Sequence, residues 1–301
     1  MMKQIIIILL ALLGGVSGVQ AQLLWKVEGN GLVKPSYVLG TFHMAKAGFT
    51  DSIQGLNAAL ENCDQVYGEV NALDEKPDTA FIKKMMGEKY LPEGTTLDSL
   101  LTTEDMARVN ECLKTLLNLD LTNPMYAAAK KLKPSVLCNL ITAKMYSEAE
   151  PNIPAEAFDK KLQTYAREHG KEIGGFETMA FQVELLHKIS PVKRQVEVLL
   201  GTVDRLEEGR DMIKDMFKYY YAQDLKAMES LHEAQQNTPS GFTKEQTEVM
   251  IYKRNADWAD KMPALMQKGS TLVTVGAAHL PGERGLLQLL RNKGYSVTPV
   301  K

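Results

Sequence analysis

The spacing of apolar positions changes along this chain, and the period separates strand from helix. Leu23 to Glu28 alternates loosely, Gly29-Asn30-Gly31 is a turn signal, and Ser36 to Leu39 is a short β-rich run. Together they predict a β-hairpin whose second strand empties into Gly40-Thr41-Phe42-His43. Thr50-Asp51-Ser52 offers an N-cap, after which Ile53, Leu56, Ala59 and Leu60 fall at helical spacing. Gln65 to Val70 reads as the next strand, with Glu69 near its end. From Pro77 to about Ser147, positions such as Leu97, Leu100, Met106, Val109 and Leu113 recur at three and four residues, which predicts helices. Pro154 to Glu168 is a further amphipathic helix. Lys171 to Thr178 is a strand and turn carrying Glu177, and Ala180 to Ala234 is helical again. Thr271 to Val275, rich in β-branched residues, reads as a buried-type strand and runs into Gly276-Ala277-Ala278-His279. A helix over Leu286 to Arg291 and a last strand over Tyr295 to Val300 close the chain.

This alternation predicts an α/β fold with a mixed central sheet, in which a large, mostly helical insertion (about 77–147 and 180–234) covers the strand ends. Residues 22–301 are expected to form a single domain. Met1 to Ala21 reads differently: Lys3 is a positive start, Ile5 to Leu13 is an apolar run, and Val19-Gln20-Ala21 is a small-residue cleavage site. That pattern predicts a signal peptide cleaved after Ala21 and a periplasmic or secreted protein. The apolar run is shorter than the roughly 20 residues of a spanning helix, so no membrane association is expected once it is removed. A net charge of −2 in 301 residues gives no electrostatic basis for nucleic-acid binding. Three Cys with no CxxC spacing give neither a disulfide framework nor a thiolate zinc site.

One distant echo carries the candidate chemistry. Tyr37 to His43 and Val273 to His279 share the form strand–Gly–x–x–His, with Gly40 and Gly276 allowing a tight turn or close backbone approach. If the two strands are neighbours, both loops leave the same strand-end face, where ligands of open α/β sheets bind. Glu69 and Glu177 occupy equivalent strand-end positions. Two imidazoles with one or two carboxylates suit a divalent first-row metal, so His43, Glu69 and His279 are the candidate ligands. Glu177 is either a fourth ligand or a general base. Arg254 and Asn255 open a late helix, where a guanidinium fork could orient a substrate or stabilise an oxyanion. His169, His187 and His232 lie in helical, charged surroundings and read as solvated or capping residues. There is no HExxH, GxSxG, GxGxxG after a strand, or GxxxxGK[ST] sequence, which removes the main support for zincin, α/β-hydrolase, Rossmann and P-loop readings.

These segments resemble the TraB/PrgY/GumN family, which is related to the Tiki metalloproteases. The resemblance rests on Trp25-Lys26-Val27 with Ser36 to His43, on Glu69, on Gly175-Phe176-Glu177-Thr178 with Gln182, on Arg254-Asn255, and on Val275 to Gly282 with Gly285-Leu286-Leu287. Phe176 stands where Leu is commoner. The resemblance implies an α/β fold with paired GxxH loops and a divalent-metal-dependent hydrolase, a peptidase that favours manganese or cobalt, with zinc possible. The substrate would be a peptide or a small molecule. The competing reading is a non-catalytic periplasmic binding protein for haem or another small ligand on the same scaffold. A signalling or adhesion module is a third. Oligomeric state is not legible in the sequence.

Overall fold

The computed structural model describes residues 22–46, 48–73, 79–154, 156–236 and 238–300. The expected signal segment lies outside these residues.

The hairpin forms as the turn signal requires. Gly29, Asn30 and Gly31 all adopt positive φ (83°, 48° and 84°), which glycine tolerates without penalty and asparagine more readily than most residues. They reverse the chain between β1 (Leu24–Glu28) and β2 (Ser36–Thr41), which pair antiparallel. Four more strands complete one sheet: β3 (Gln65–Val70), β4 (Glu172–Glu177), β5 (Thr271–Gly276) and β6 (Ser296–Pro299). The order is β4-β3-β5-β2-β1-β6. The four strands from β4 to β2 run parallel, while β1 is antiparallel to both β2 and β6. β5 lies inside the sheet with Thr271 to Val275 all buried, which matches the buried-type strand expected from its β-branched residues. β2 and β5 are therefore neighbours, in register at Thr41 and Gly276. The carboxyl ends of β2, β3, β4 and β5 all face one edge of the molecule.

Thirteen α-helical segments lie among the described residues: α1 (Leu56–Asn62), α2 (Thr79–Gly87), α3 (Leu97–Leu100), α4 (Thr103–Leu117), α5 (Pro134–Ala149), α6 (Phe158–Glu168), α7 (Met179–Lys188), α8 (Val192–Asp204), α9 (Leu206–Tyr221), α10 (Leu225–Gln236), α11 (Lys244–Thr247), α12 (Lys253–Lys268) and α13 (Leu286–Asn292). Four stretches among the described residues depart from α geometry, two of them short 3₁₀ turns at Phe49–Ser52 and Ala277–His279. Pro124–Lys131 winds as a 3₁₀ helix. Asn123 caps it and Pro124 starts it, but it buries no side chain that would hold a longer α-helix in place. Glu248–Tyr252 is a π-helical turn leading directly into α12.

The apolar residues gather into two clusters. One packs on the sheet and includes Leu39, Val66, Val273, Phe158, Leu162, Trp258 and Leu286. The other lies within the helical cover and includes Leu97, Val109, Leu113, Leu137, Ile141, Leu199 and Phe217. Phe42, just beyond β2, packs against both, its ring 5.3 Å from Phe217 and 5.4 Å from Tyr220. The cover is thereby anchored to the loop that carries His43.

Candidate active site

Parallel strands deliver side chains to their carboxyl ends, and here the delivery converges. Glu69 comes from β3, Glu177 is the last residue of β4, and His279 lies three residues beyond β5. Arg254 reaches them from the first turn of α12. The guanidinium holds Glu177 in a two-pronged bond, Nε to Oε1 and Nη2 to Oε2, both at 2.9 Å. Nη2 also donates to Glu69 Oε2, and Nη1 donates to the Met250 carbonyl at 3.0 Å within the π turn. Trp258, one helical turn after Arg254, lies beneath the guanidinium (4.6 Å to the ring centre) and donates Nε1–H to Glu177 Oε1 at 3.1 Å. Gln182 Nε2 donates to Glu69 Oε2 and Glu177 Oε2, each at 3.0 Å. Glu69 Oε1 accepts the Gly276 N–H at 2.8 Å.

Two contacts set the proton on His279. Asn255 donates both hydrogens of Nδ2, to the His279 and Arg284 carbonyls, so its Oδ1 must accept from His279 Nδ1, 2.6 Å away. Arg254 Nη1, which can only donate, faces Nε2 at 3.3 Å. The ring is thus the Nδ1–H tautomer with its Nε2 lone pair turned to Arg254 and, at 3.9 Å, to Glu69 Oε1. Burial is the largest influence on this ring and pushes its pKa down to about 4, with Glu69 opposing and Arg254 and His232 assisting. His279 is neutral at pH 7. For Glu69, burial pushes the carboxyl up, but the His279 charge at the acid pH where that ring is protonated, Arg254 and the Gly276 N–H outweigh it and hold it below the ordinary range. Burial likewise works against the Arg254 charge, and the two carboxylates more than restore it.

His43 stands apart from this cluster. Its side chain is 63% exposed, and Nδ1 lies 2.7 Å from Asp159 Oδ2. Asp159, in the first turn of α6, also accepts from the Thr41 hydroxyl at 2.6 Å. Pairing with this carboxylate raises the His43 pKa to about 9, with Glu69 adding a smaller push. Among the described residues no three His, Cys, Asp or Glu side chains stand close enough together to hold an ion. The structure therefore brings together Glu69, Glu177, Arg254, Asn255 and His279. It sets His43 on the neighbouring strand end with Asp159. Gly40 and Gly276 fill the role of close approach: a Cβ on Gly40 would lie 2.8 Å from Leu280 Cδ1, and one on Gly276 would lie 3.3 Å from Glu69 Oε1.

The donors suit a divalent ion in part. His279 has a neutral Nε2 whose lone pair faces Arg254 Nη1 at 3.3 Å and fits an ion only after parting from that donor, while its other N–H is held by Asn255, the arrangement typical of metal-ligating histidines. Glu69 Oε1 faces that same nitrogen. His43 fits after losing a proton and parting from Asp159. Glu177 does not fit, because each of its oxygens already accepts two N–H donors, from Arg254 with Trp258 and from Arg254 with Gln182, whereas among the described residues Glu69 Oε1 accepts only the Gly276 N–H. Outside the cluster, a cleft of about 690 Å³ opens onto Glu177 and Arg254, walled by Phe176, Phe181, Val249 and Lys253.

Sequence reasoning passed over Asp159 and Trp258. Trp258 was within reach, since it sits four residues after Arg254 and so on the same helix face. Asp159 carried no such signal, because an acid in a helix's first turn ordinarily serves the helix dipole.

The sequence matches the TraB/PrgY/gumN family over residues 23–299, and the chain belongs to that family. It is 23% identical to the Metalloprotease TIKI homolog of Amphimedon queenslandica over 92% of this chain and 61% of that protein. It is 24% identical to Metalloprotease TIKI2 of Danio rerio over 91% of this chain and 60% of that protein. The chain thus spans about three fifths of the length of these two relatives. The uncharacterized protein YbaP of Shigella flexneri is 23% identical over 85% of this chain and 88% of its own length. No solved structure matches the chain.

Proposed function

We propose that this chain is an exported, divalent-metal-dependent hydrolase acting on peptides. The observation that carries this reading is the buried cluster at the carboxyl ends of parallel strands, in which a neutral His279 is aimed by Asn255 beside an ionised Glu69. The relatives named metalloproteases support the same reaction class, and the N-terminal pattern of residues 1–21 supports export. Among the described residues no helix is long and apolar enough to cross a membrane.

In this reading Glu69 and His279, joined by His43, hold manganese or cobalt, with zinc as the alternative. When bound, the ion polarises a carbonyl and lowers the pKa of water. Asn255 keeps the His279 lone pair directed at the site by fixing its tautomer. Arg254 supplies N–H donors and a permanent charge to a developing oxyanion, preorganised by its clamp on Glu177. The filled oxygens of Glu177 support a positioning role for that carboxylate over a ligand or general base. Asp159 holds the protonated His43 side chain, which would release its proton to water on turning to an ion.

The test is hydrolysis of a peptide library by the purified protein with manganese or cobalt, read by mass spectrometry. Wild type is expected to cleave and His279→Ala to lose cleavage. Glu177→Gln is expected to keep metal affinity and KM while kcat falls, because the Arg254 clamp loosens. Wild type that cleaves nothing with any of the three metals overturns the reading.

A further inference from the structure

A partly open pocket of about 160 Å³ adjoins the candidate active site on the side of the helical cover. Its apolar wall is built from Tyr146 on α5, Met212 and Met216 on α9, and Met228 on α10. The opposite wall comes from the segments that carry the site itself. Ile251 and Tyr252 belong to the π turn that leads into Arg254, and Ala278 and Pro281 flank His279. Whatever fills the pocket therefore touches the supports of both Arg254 and His279. Its polar lining is confined mainly to α10, with Glu229 and His232 among it.

Size and chemistry select the occupant. A cavity of about 150 Å³ has room for benzene, so by size a pocket of about 160 Å³ accepts one phenyl or branched aliphatic side chain and not a haem. Methionine walls are polarizable and adjustable, which suits recognition of several related apolar shapes. We propose that this pocket is the specificity site of the hydrolase, receiving a large apolar side chain, Phe, Leu or Met, of the substrate residue next to the cleaved bond. This assignment rests on the hydrolase reading and adds the substrate class to it.

The experiment compares wild type with Met212→Trp, which fills the pocket, and Met228→Ala, which enlarges it. Neither residue belongs to the cluster around Arg254. Peptides that differ at one position, Ala against Phe, are assayed for kcat/KM with manganese or cobalt. Benzene binding to each protein is followed in parallel by NMR. Wild type is expected to favour Phe over Ala, and Met212→Trp to reduce that preference by about tenfold or more while losing benzene binding. Met228→Ala is expected to extend acceptance to Trp. Cleavage without an apolar preference, or with a preference that Met212→Trp leaves unchanged, overturns the assignment and leaves the hydrolase reading standing. If wild type binds benzene but cleaves no peptide, the hydrolase reading fails and the assignment fails with it.

Discussion

Arg254 is the residue on which the cluster depends. Its side chain is 8% exposed and its two carboxylate partners are 16% and 6% exposed, so each charge is stable only because the others are present. Removing one partner of a buried ion pair typically costs about 3–5 kcal/mol, because the remaining charge stays buried and uncompensated. Arg254→Ala should destabilise the protein by that order in urea unfolding. Arg254→Lys should be only a partial rescue, since an ammonium cannot reproduce the two-pronged grip. A second residue-scale effect is expected at high pH. Burial pushes the Tyr146 phenol up to about 12, while an unfolded tyrosine ionises near ~10. Between these values the unfolded chain has released a proton that the folded chain still holds, so stability falls as pH rises from 10 through 12. Tyr146→Phe should remove about 2 kcal/mol of that decline when urea midpoints at pH 9 and 11.5 are compared. An equally steep decline in the variant would show that Tyr146 is not protected as described.

At the scale of elements, close approach of two loops makes the site. Gly40 on β2 leaves no room for a side chain: a Cβ would lie 2.8 Å from Leu280 and 3.2 Å from the Ala277 backbone, both in the segment around His279. Gly276 is looser, with its nearest neighbour the Glu69 carboxylate at 3.3 Å. Gly40→Val should therefore cost about 1–3 kcal/mol through overpacking and spread the two loops, whereas Gly276→Ala should be the milder change in thermal unfolding. This twin Gly–x–x–His pattern was legible in the sequence because strand period and glycine placement are local properties. So were the hairpin and the long helical stretches. The π turn before Arg254 was not legible, since a single widened turn leaves the apolar spacing nearly intact. The partnership of His43 with Asp159 was hidden for another reason. It joins a strand end to the start of α6 across 116 residues (159 − 43), and only packing brings them together. The same holds for Arg254: its position at a helix start could be read, but not its two carboxylate partners on β3 and β4.

The whole molecule places a sheet beneath a helical cover, with the candidate chemistry at their boundary and Phe42 tying one to the other. Two clefts lie at this boundary: the wider one is lined by Glu177 and Arg254, and the apolar one by Tyr252, Ala278 and Pro281, neighbours of the cluster. In the proposed hydrolase this layout would bring a substrate over the strand ends, where Arg254 and His279 lie between the broad cleft and the narrow pocket. The central claim is that this place holds a divalent ion through Glu69 and His279. The most direct measurement is a titration of the purified protein with cobalt(II), followed by its visible absorption. One ion is expected to bind per chain, with a spectrum altered in His43→Ala. Glu69→Gln and His279→Ala should each weaken binding by at least about tenfold. Absence of cobalt binding by the wild type, or equal binding by Glu69→Gln and His279→Ala, would contradict the account.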